Sequence, residues 1–329
     1  MYTEHLTEFA GLRVVDFPGD PGKPLPAMDG PCAWRLARSP EEEDTSDFEG
    51  VLADFLERGD AAHVTALVIG PWAEYMGDLD DAPYPVDKLV EAADQLPALR
   101  ALFLGDVIES ESDVAYIYHE DVSVLLDAYP ALEEFRVRGS APWTPLGEPP
   151  SVMFRPIKHE SLKVLAFESG GLSASTMRAV GESEFPQLEH LEFFFGEPNY
   201  GGDGTLEDVA GLLAGDRFPK LRRLGLRNAL FEDEIAAALA HAPVVAQLEV
   251  LDLSLGAFGD EGAAALLAGQ PLHHLRTLDL HHHFVSAEMA ERLREAWPTV
   301  EIVLGEPEEA TVRFRNGVRE FQRYIAVSE

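Results

Sequence analysis

The sequence predicts an α/β solenoid, with a curved parallel sheet inside, helices outside and a cap at each end. Three near-copies of one phrase carry this prediction: Leu221-Arg222-Arg223-Leu224-Gly225-Leu226, Leu248-Glu249-Val250-Leu251-Asp252-Leu253 and Leu275-Arg276-Thr277-Leu278-Asp279-Leu280, which start 27 residues apart. Each reads L-x-x-L-x-L, and each leads through a polar turn into an alanine- and leucine-rich stretch. A fixed period that alternates one strand with one helix is the mark of stacked repeats, whose apolar faces are buried only by their neighbours. Degraded copies extend the pattern upstream, starting at Val64, Leu99, Leu132, Leu162 and Leu188, and a terminal copy runs from Thr299 to Leu304.

The bulk composition fits this architecture and excludes several functions. A solenoid core grows along one dimension, so 329 residues can form one continuous domain. An apolar fraction of 46% excludes a disordered chain. With 25 basic and 59 acidic side chains the formal net charge is −34, which argues against nucleic acid and anionic membranes as partners; it favours a basic partner or metal cations, against the plainer reading that it serves solubility alone. Cys32 is the only cysteine, so neither an internal disulfide nor a cysteine zinc site can form. Met1-Tyr2-Thr3-Glu4-His5 lacks the basic and apolar regions of a secretory signal. The most apolar run, Ile235 to Leu253, is broken by His241, Pro243 and Gln247, so no segment is expected to span a bilayer. These features predict a cytoplasmic protein.

In chain order, Leu12 to Phe17 ends in the turn cluster Pro18-Gly19-Asp20-Pro21-Gly22, and Ala33 to Ala37 follows as a second β-prone run. The two read as a hairpin or a pair of strands, and residues 1–45 as the cap over the first repeat. Glu41-Glu42-Glu43-Asp44 reads as a solvated acidic turn. Phe48, Val51, Leu52, Phe55 and Leu56 recur at helical spacing. Further helices are expected over Val86–Leu96, Glu120–Tyr129, Ser173–Val180, Leu206–Leu213, Glu232–Ala242, Asp260–Leu267 and Ser286–Trp297, with Ser173, Asp260 and Ser286 as capping residues. The return stretch after Leu132 holds Pro142, Pro145, Pro149, Pro150 and Pro156, which forbids a regular helix there. The solenoid is assigned to 46–305, with about eight or nine repeats, and 306–329 to a C-terminal cap or tail.

Over roughly residues 60–305 the chain resembles the ribonuclease-inhibitor-type leucine-rich-repeat proteins. More narrowly, it is similar to an actinobacterial family of leucine-rich-repeat proteins, through His5 to Leu12, Ala101 to Asp106, Tyr200 to Asp203 and Leu278 to His283. The resemblance implies the fold and, for the broader class, protein binding on the concave sheet. One departure bears on the turns: the expected Asn or Cys after each strand is Ala229, Gly256 and His283 in the best repeats, so the usual ladder of turn hydrogen bonds is weakened or made differently.

Side chains alternate along a strand, so the leucines point inward and the intervening residues line the concave face. The first two repeats are small or apolar there. Later repeats present Arg136, Arg138, Glu168, His190, Glu192, Phe194, Arg223, Arg227, Asp252, Asp279 and His281, and arginine with aromatic residues is what binding hot spots use. Asp252 and Asp279 share a column in neighbouring repeats; with His281 they form a possible metal group, against the simpler reading that Leu-Asp-Leu is repeat consensus. The glycine-rich stretch that includes Tyr200, Gly201, Gly202 and Asp203 is either an ordinary turn or a loop that offers N–H groups to an anion. It lacks the Gly-Lys-Ser/Thr ending of a phosphate loop, and no nucleophile or metalloprotease motif occurs elsewhere. The expectation is therefore a non-catalytic interaction module or scaffold that grips another protein on its concave sheet, with no cofactor. The alternative is a small-ligand- or metal-binding accessory enzyme centred on the Asp/His group and the glycine-rich loop.

Overall fold

In the computed structural model, which describes residues 2–27, 30–38, 47–73, 84–142, 152–315 and 318–328 (without the side chains of 313–315 and 318–320), the repeats form as the phrases predict. The chain divides into two compact units, 1–168 with 182–187 and 169–181 with 188–328. The acidic turn at Glu41–Asp44 and the prolines Pro145, Pro149 and Pro150 lie outside the described residues.

The first unit holds β1 (Glu8–Phe9), β2 (Leu12–Asp16), β3 (Ala33–Leu36), α1 (Phe48–Arg58), β4 (Ala66–Ile69), α2 (Pro85–Glu91), β5 (Ala101–Leu104), α3 (Val124–Ala128), β6 (Glu134–Arg138) and β7 (Val164–Glu168). The hairpin is β1 with β2, whereas β2 and β3 pair in parallel, so the long Pro/Gly connection is already a crossover. From β3 onward the repeat phrases align in register, with Leu67 beside Leu102, Phe135 and Leu165 in turn. All four are fully buried. α1 starts where Asp47 accepts a hydrogen bond from the Gly50 N–H at 2.8 Å, and Phe48, Val51, Leu52 and Phe55 form its buried face. Among the described residues no helix lies between β6 and β7, in line with the proline count there.

The second unit holds α4 (Ala174–Glu182), β8 (His190–Gly196), α5 (Ala210–Leu213), β9 (Arg223–Ala229), α6 (Glu232–Leu239), β10 (Val250–Asp252), α7 (Asp260–Ala268), β11 (Thr277–Asp279), α8 (Ala287–Ala296), β12 (Glu301–Val303), β13 (Thr311–Arg315) and β14 (Val318–Gln322). Strands β8 to β12 are parallel, and the three exact phrases pair with Leu224, Leu251 and Leu278 side by side. β13 and β14 form a separate antiparallel pair.

The first and last described residues fold back onto their own unit. Phe9 closes a cluster of Ala33, Ala66, Val68, Ala101 and Phe103, with Leu6, Leu12 and Val14 packed against it. That cluster is the outward strand face of the first repeats, which were small or apolar because the chain itself covers them. The last described residues run across the ends of β9 to β11. Asn228, Leu255 and His282 occupy equivalent repeat positions and have φ of 57°, 67° and 57°. The Ala326 N–H donates to the Leu255 carbonyl at 2.8 Å, and the Val327 N–H to Asn228 Oδ1 at 3.0 Å. Tyr324 stacks edge-on against His282 and Phe284. Ile325 and Val327 are buried.

Candidate functional site

The outward side chains of β8 to β11 form the richest polar arrangement of the second unit. His190 Nε2 lies 3.0 Å from Glu192 Oε2. The other Glu192 oxygen accepts a short hydrogen bond from Arg227 Nη1. Arg227 Nε donates to Ser254 Oγ at 2.9 Å. Ser254 in turn donates to Asp252 Oδ1 at 2.6 Å, and Arg227 Nε lies 3.3 Å from the same oxygen. The Arg227 guanidinium also sits over the Phe194 ring, 4.6 Å from its centroid. The chain Glu192–Arg227–Ser254–Asp252 therefore spans three neighbouring strands.

Gly225 makes this possible. Any Cβ there would lie 2.8 Å from Glu192 Cγ and 3.3 Å from Arg227 Cδ, so the ion pair lies directly over the glycine. The glycine in the best-matching phrase is thus a packing requirement imposed by its neighbours.

Depth separates the expected contact residues. Arg223 keeps 42% of its side chain exposed and His281 38%, against 4% for Glu192 and 2% for Asp252. Glu192, Phe194 and Asp252 were expected on an open face and are buried, because side chains of the adjacent strands lean across them. Burial raises the Asp252 carboxyl above its ordinary range, a push that Arg227 and Ser254 only partly offset. Burial pushes Asp279 the same way, yet hydrogen bonds from the His281 ring at 2.7 Å and its N–H at 3.1 Å outweigh it and hold that carboxyl low. The two aspartates sit opposite one another in register. Among the described residues, no group of three His, Cys, Asp or Glu is arranged to hold a metal ion. The histidines near His281 do not converge on it: His282 faces the tail, His283 accepts from the Val285 N–H at 3.0 Å, His274 meets the Val245 carbonyl and His273 faces solvent.

The glycine-rich loop is closed on itself. The N–H groups of Glu197, Tyr200, Gly201, Gly202 and Asp203 all donate to carbonyls of the chain. Asp203 accepts from the Ala174 N–H at 2.6 Å, and Cβ atoms at Gly171 or Gly202 would strike the Tyr200 or Glu197 carbonyl. With these donors used internally, the loop has the bonding of an ordinary turn, the simpler of the two readings.

In the first unit Arg136 pairs with Glu134 at 2.6 Å and stays half-buried. Arg138 was also expected to be open and is buried at 3% exposure. It pairs with Glu168 at 2.9 Å, and the Tyr2 ring covers its guanidinium at 3.4 Å. The alternation of the strand gave its direction and not this cover. Behind it lies His119, whose Nε2 meets the Arg138 carbonyl at 2.9 Å and whose burial pushes its pKa down to about 4.

The turns show how the missing asparagine ladder is replaced. The Ala229 N–H donates to Glu232 Oε2 at 3.0 Å, Asp233 Oδ1 accepts from the Gly259 and Gly262 N–H groups, and Asp260 Oδ1 accepts from the Ser286 N–H at 2.7 Å. Carboxylates, in the same turn for Ala229 and one repeat away for Gly259, Gly262 and Ser286, take over the role of the asparagine.

In-register L-x-x-L-x-L strands, each returning through the outer stretch of its repeat, define a leucine-rich-repeat fold. No protein-family model matches the chain, and no curated protein does. Among solved structures, a crystal structure of a Bacteroides fragilis protein is 27% identical with a TM-score of 0.72, covering 83% of this chain and 74% of that one. A leucine-rich-repeat protein from Leptospira interrogans is 16% identical with a TM-score of 0.28, covering 66% of this chain and 56% of that one. No helix among the described residues is long and apolar enough to cross a membrane.

Proposed function

We propose that the protein is a non-catalytic interaction module that holds another protein on its outward strand face. The observation that supports this is the contrast of depth in the second unit. Arg223, Thr277, Asp279 and His281 are partly exposed on strands or just after one, with Arg223 facing the buried Asp252 at 3.7 Å and the His281 ring bonded to Asp279 at 2.7 Å. Rigid, half-exposed arginine and imidazole beside buried partners are the usual ingredients of a binding hot spot. His190 and Arg227 lie at its edge, less exposed.

We place the chain with the ribonuclease-inhibitor-type proteins, on the 27-residue spacing and the helix in each of the best repeats, and, more narrowly, with the actinobacterial family it resembles. The working division remains a cap over 1–45, repeats over 46–305 and a cap or tail over 306–329. A cytoplasmic setting and a partner with a basic surface follow from the single cysteine and the net charge of −34. The test is affinity capture from the native host with wild-type chain and the Arg223→Ala/His281→Ala variant. Loss of specific captured proteins in the variant is expected, and an unchanged set would sink the strand-face reading.

A further inference from the structure

The N-terminal arm, residues 2–6, lies on the first unit in a manner unlike the rest of the chain. It belongs to no strand, and β1 begins only at Glu8. Its hold on the unit comes from a few side-chain contacts and from the Glu109 N–H, which donates to the Tyr2 carbonyl at 2.9 Å. Tyr2 caps Arg138, whose guanidinium also faces the Phe103 ring at 5.1 Å, so the arginine is sandwiched between two aromatic rings. Leu6 packs on the Phe103 cluster.

At the centre is Asp106, whose carboxylate is fully buried. It is surrounded by donors that stand too far away. The Leu6 N–H reaches both its oxygens at 3.3 Å, His5 Nδ1 lies at 3.4 Å, Arg35 Nη1 at 3.6 Å and Arg138 Nη1 at 3.7 Å. A buried carboxylate normally draws charged donors to about 2.7–2.9 Å. Arg35 Nη1 and His5 Nδ1 are buried atoms with no hydrogen bond that meets normal geometry. His5 Nε2 faces a second carboxylate, Glu111, at 3.2 Å. The arm thus fills a site whose central group it satisfies poorly.

We propose that this face is a docking site for an extended peptide, and that residues 2–6 occupy it in cis as a weak stand-in. The peptide it fits carries an aromatic ring for Arg138, a basic side chain three residues later for Asp106 and Glu111, and an aliphatic side chain next to that for the Phe103 cluster. A longer cation than histidine, such as arginine, reaches Asp106 better and binds more tightly. This inference rests on reading the strand face as a docking surface, but it places a specific occupant in the first unit only.

The probe is a fluorescein-labelled synthetic peptide of residues 1–7, with a second version carrying arginine in place of the histidine. Binding is read by anisotropy to the wild-type chain and to the full-length Tyr2→Ala/His5→Ala chain, in which the arm no longer fills the site. The variant is expected to bind the peptide at least tenfold more tightly than wild type, the arginine version more tightly again, and a peptide with alanine for tyrosine at least tenfold more weakly. Equal binding to both chains, or none to a variant shown folded by circular dichroism, overturns the proposal. Should the double variant fail to fold, His5→Ala alone decides by the same comparison. Capture dependent on Arg223 and His281 does not involve this face, so failure here leaves that reading intact, and failure there leaves this one.

Discussion

Glu232 is the side chain whose titration should be visible in the stability of the whole second unit. It is fully buried; Oε2 accepts the Ala229 N–H at 3.0 Å, while Oε1 has no hydrogen-bond partner. Gly256 presses against it, since a Cβ there would fall within 2.7 Å of its carboxyl carbon. Burial raises its pKa well above the ordinary glutamate value, with the nearby Asp252 charge adding to that and the Ala229 hydrogen bond only partly opposing it. A carboxyl whose folded pKa is raised contributes stability in full below its unfolded pKa, near 4.3, and loses that contribution as pH rises toward the folded value. Over that interval the loss is about 1.4 kcal/mol per pH unit. Glu232→Gln keeps an acceptor for Ala229 and cannot ionise. Its own unpaired amide costs about 1–3 kcal/mol, the same at every pH. The prediction therefore concerns slope: urea denaturation from pH 5 upward should show the variant gaining on wild type by up to ~1.4 kcal/mol per pH unit. Parallel stability curves for the two chains would refute the assignment of Glu232 as a buried neutral acid. Glu232→Ala serves as the contrast, because it leaves the Ala229 N–H unsatisfied and should fall below the glutamine variant throughout.

Gly225→Ala should cost about 1–3 kcal/mol in urea denaturation by forcing Glu192 and Arg227 aside, a loss typical of overpacking, and it should fail to do so if that pair does not lie over the glycine. Asn228→Ala removes both hydrogen bonds to Val327 and gives up the tolerance of positive φ that asparagine has and alanine lacks, for about 2–4 kcal/mol in all; Asn228→Gly should recover about 1 kcal/mol of this, and both should speed proteolysis of the tail. His119 should titrate by NMR near pH 4, staying neutral through the range where an ordinary histidine protonates. Since its folded pKa is depressed, the stability it contributes is present above about 6.5 and declines on acidification toward about 4; a midpoint near 6.5 would show the imidazole to be open to water.

The repeat cores were legible because they depend on one residue type at one spacing, and Leu224, Leu251 and Leu278 pair as their phrases do. Strand direction was legible for the same reason. Depth was not. Whether an outward side chain meets solvent is decided by neighbours one repeat away, as Arg227 decides it for Glu192 and Phe194, and by remote chain ends, as Tyr2 decides it for Arg138. One signal of this was present: Ala66, Val68, Ala101 and Phe103 form an outward apolar patch, which against water calls for a cover. The left-handed positions at Asn228, Leu255 and His282 repeat with the leucines, yet three unlike residues gave no motif to find.

The same dependence on neighbours changes what the acidic composition means. Part of the negative charge is structural: Asp47, Asp203, Asp208, Asp233 and Asp260 accept backbone N–H groups, and Asp106, Glu192 and Asp252 are buried among cations. These carboxylates hold internal partners as well as adding to the external field. α7 separates the two roles within two residues. Asp260 and Glu261 both stand in its first turn and share whatever the helix dipole offers an acid. Only Asp260 holds a neighbouring repeat, through the Ser286 N–H, while Glu261 is exposed. Asp260→Ala should cost about 1 kcal/mol, as the loss of a backbone cap does, and should persist in high salt. Glu261→Ala should stay within about 0.5 kcal/mol of wild type. Equal losses from the two substitutions, both erased by salt, would mean that the acidic side chains at the turns act through the dipole alone and that the carboxylates do not replace the missing asparagines.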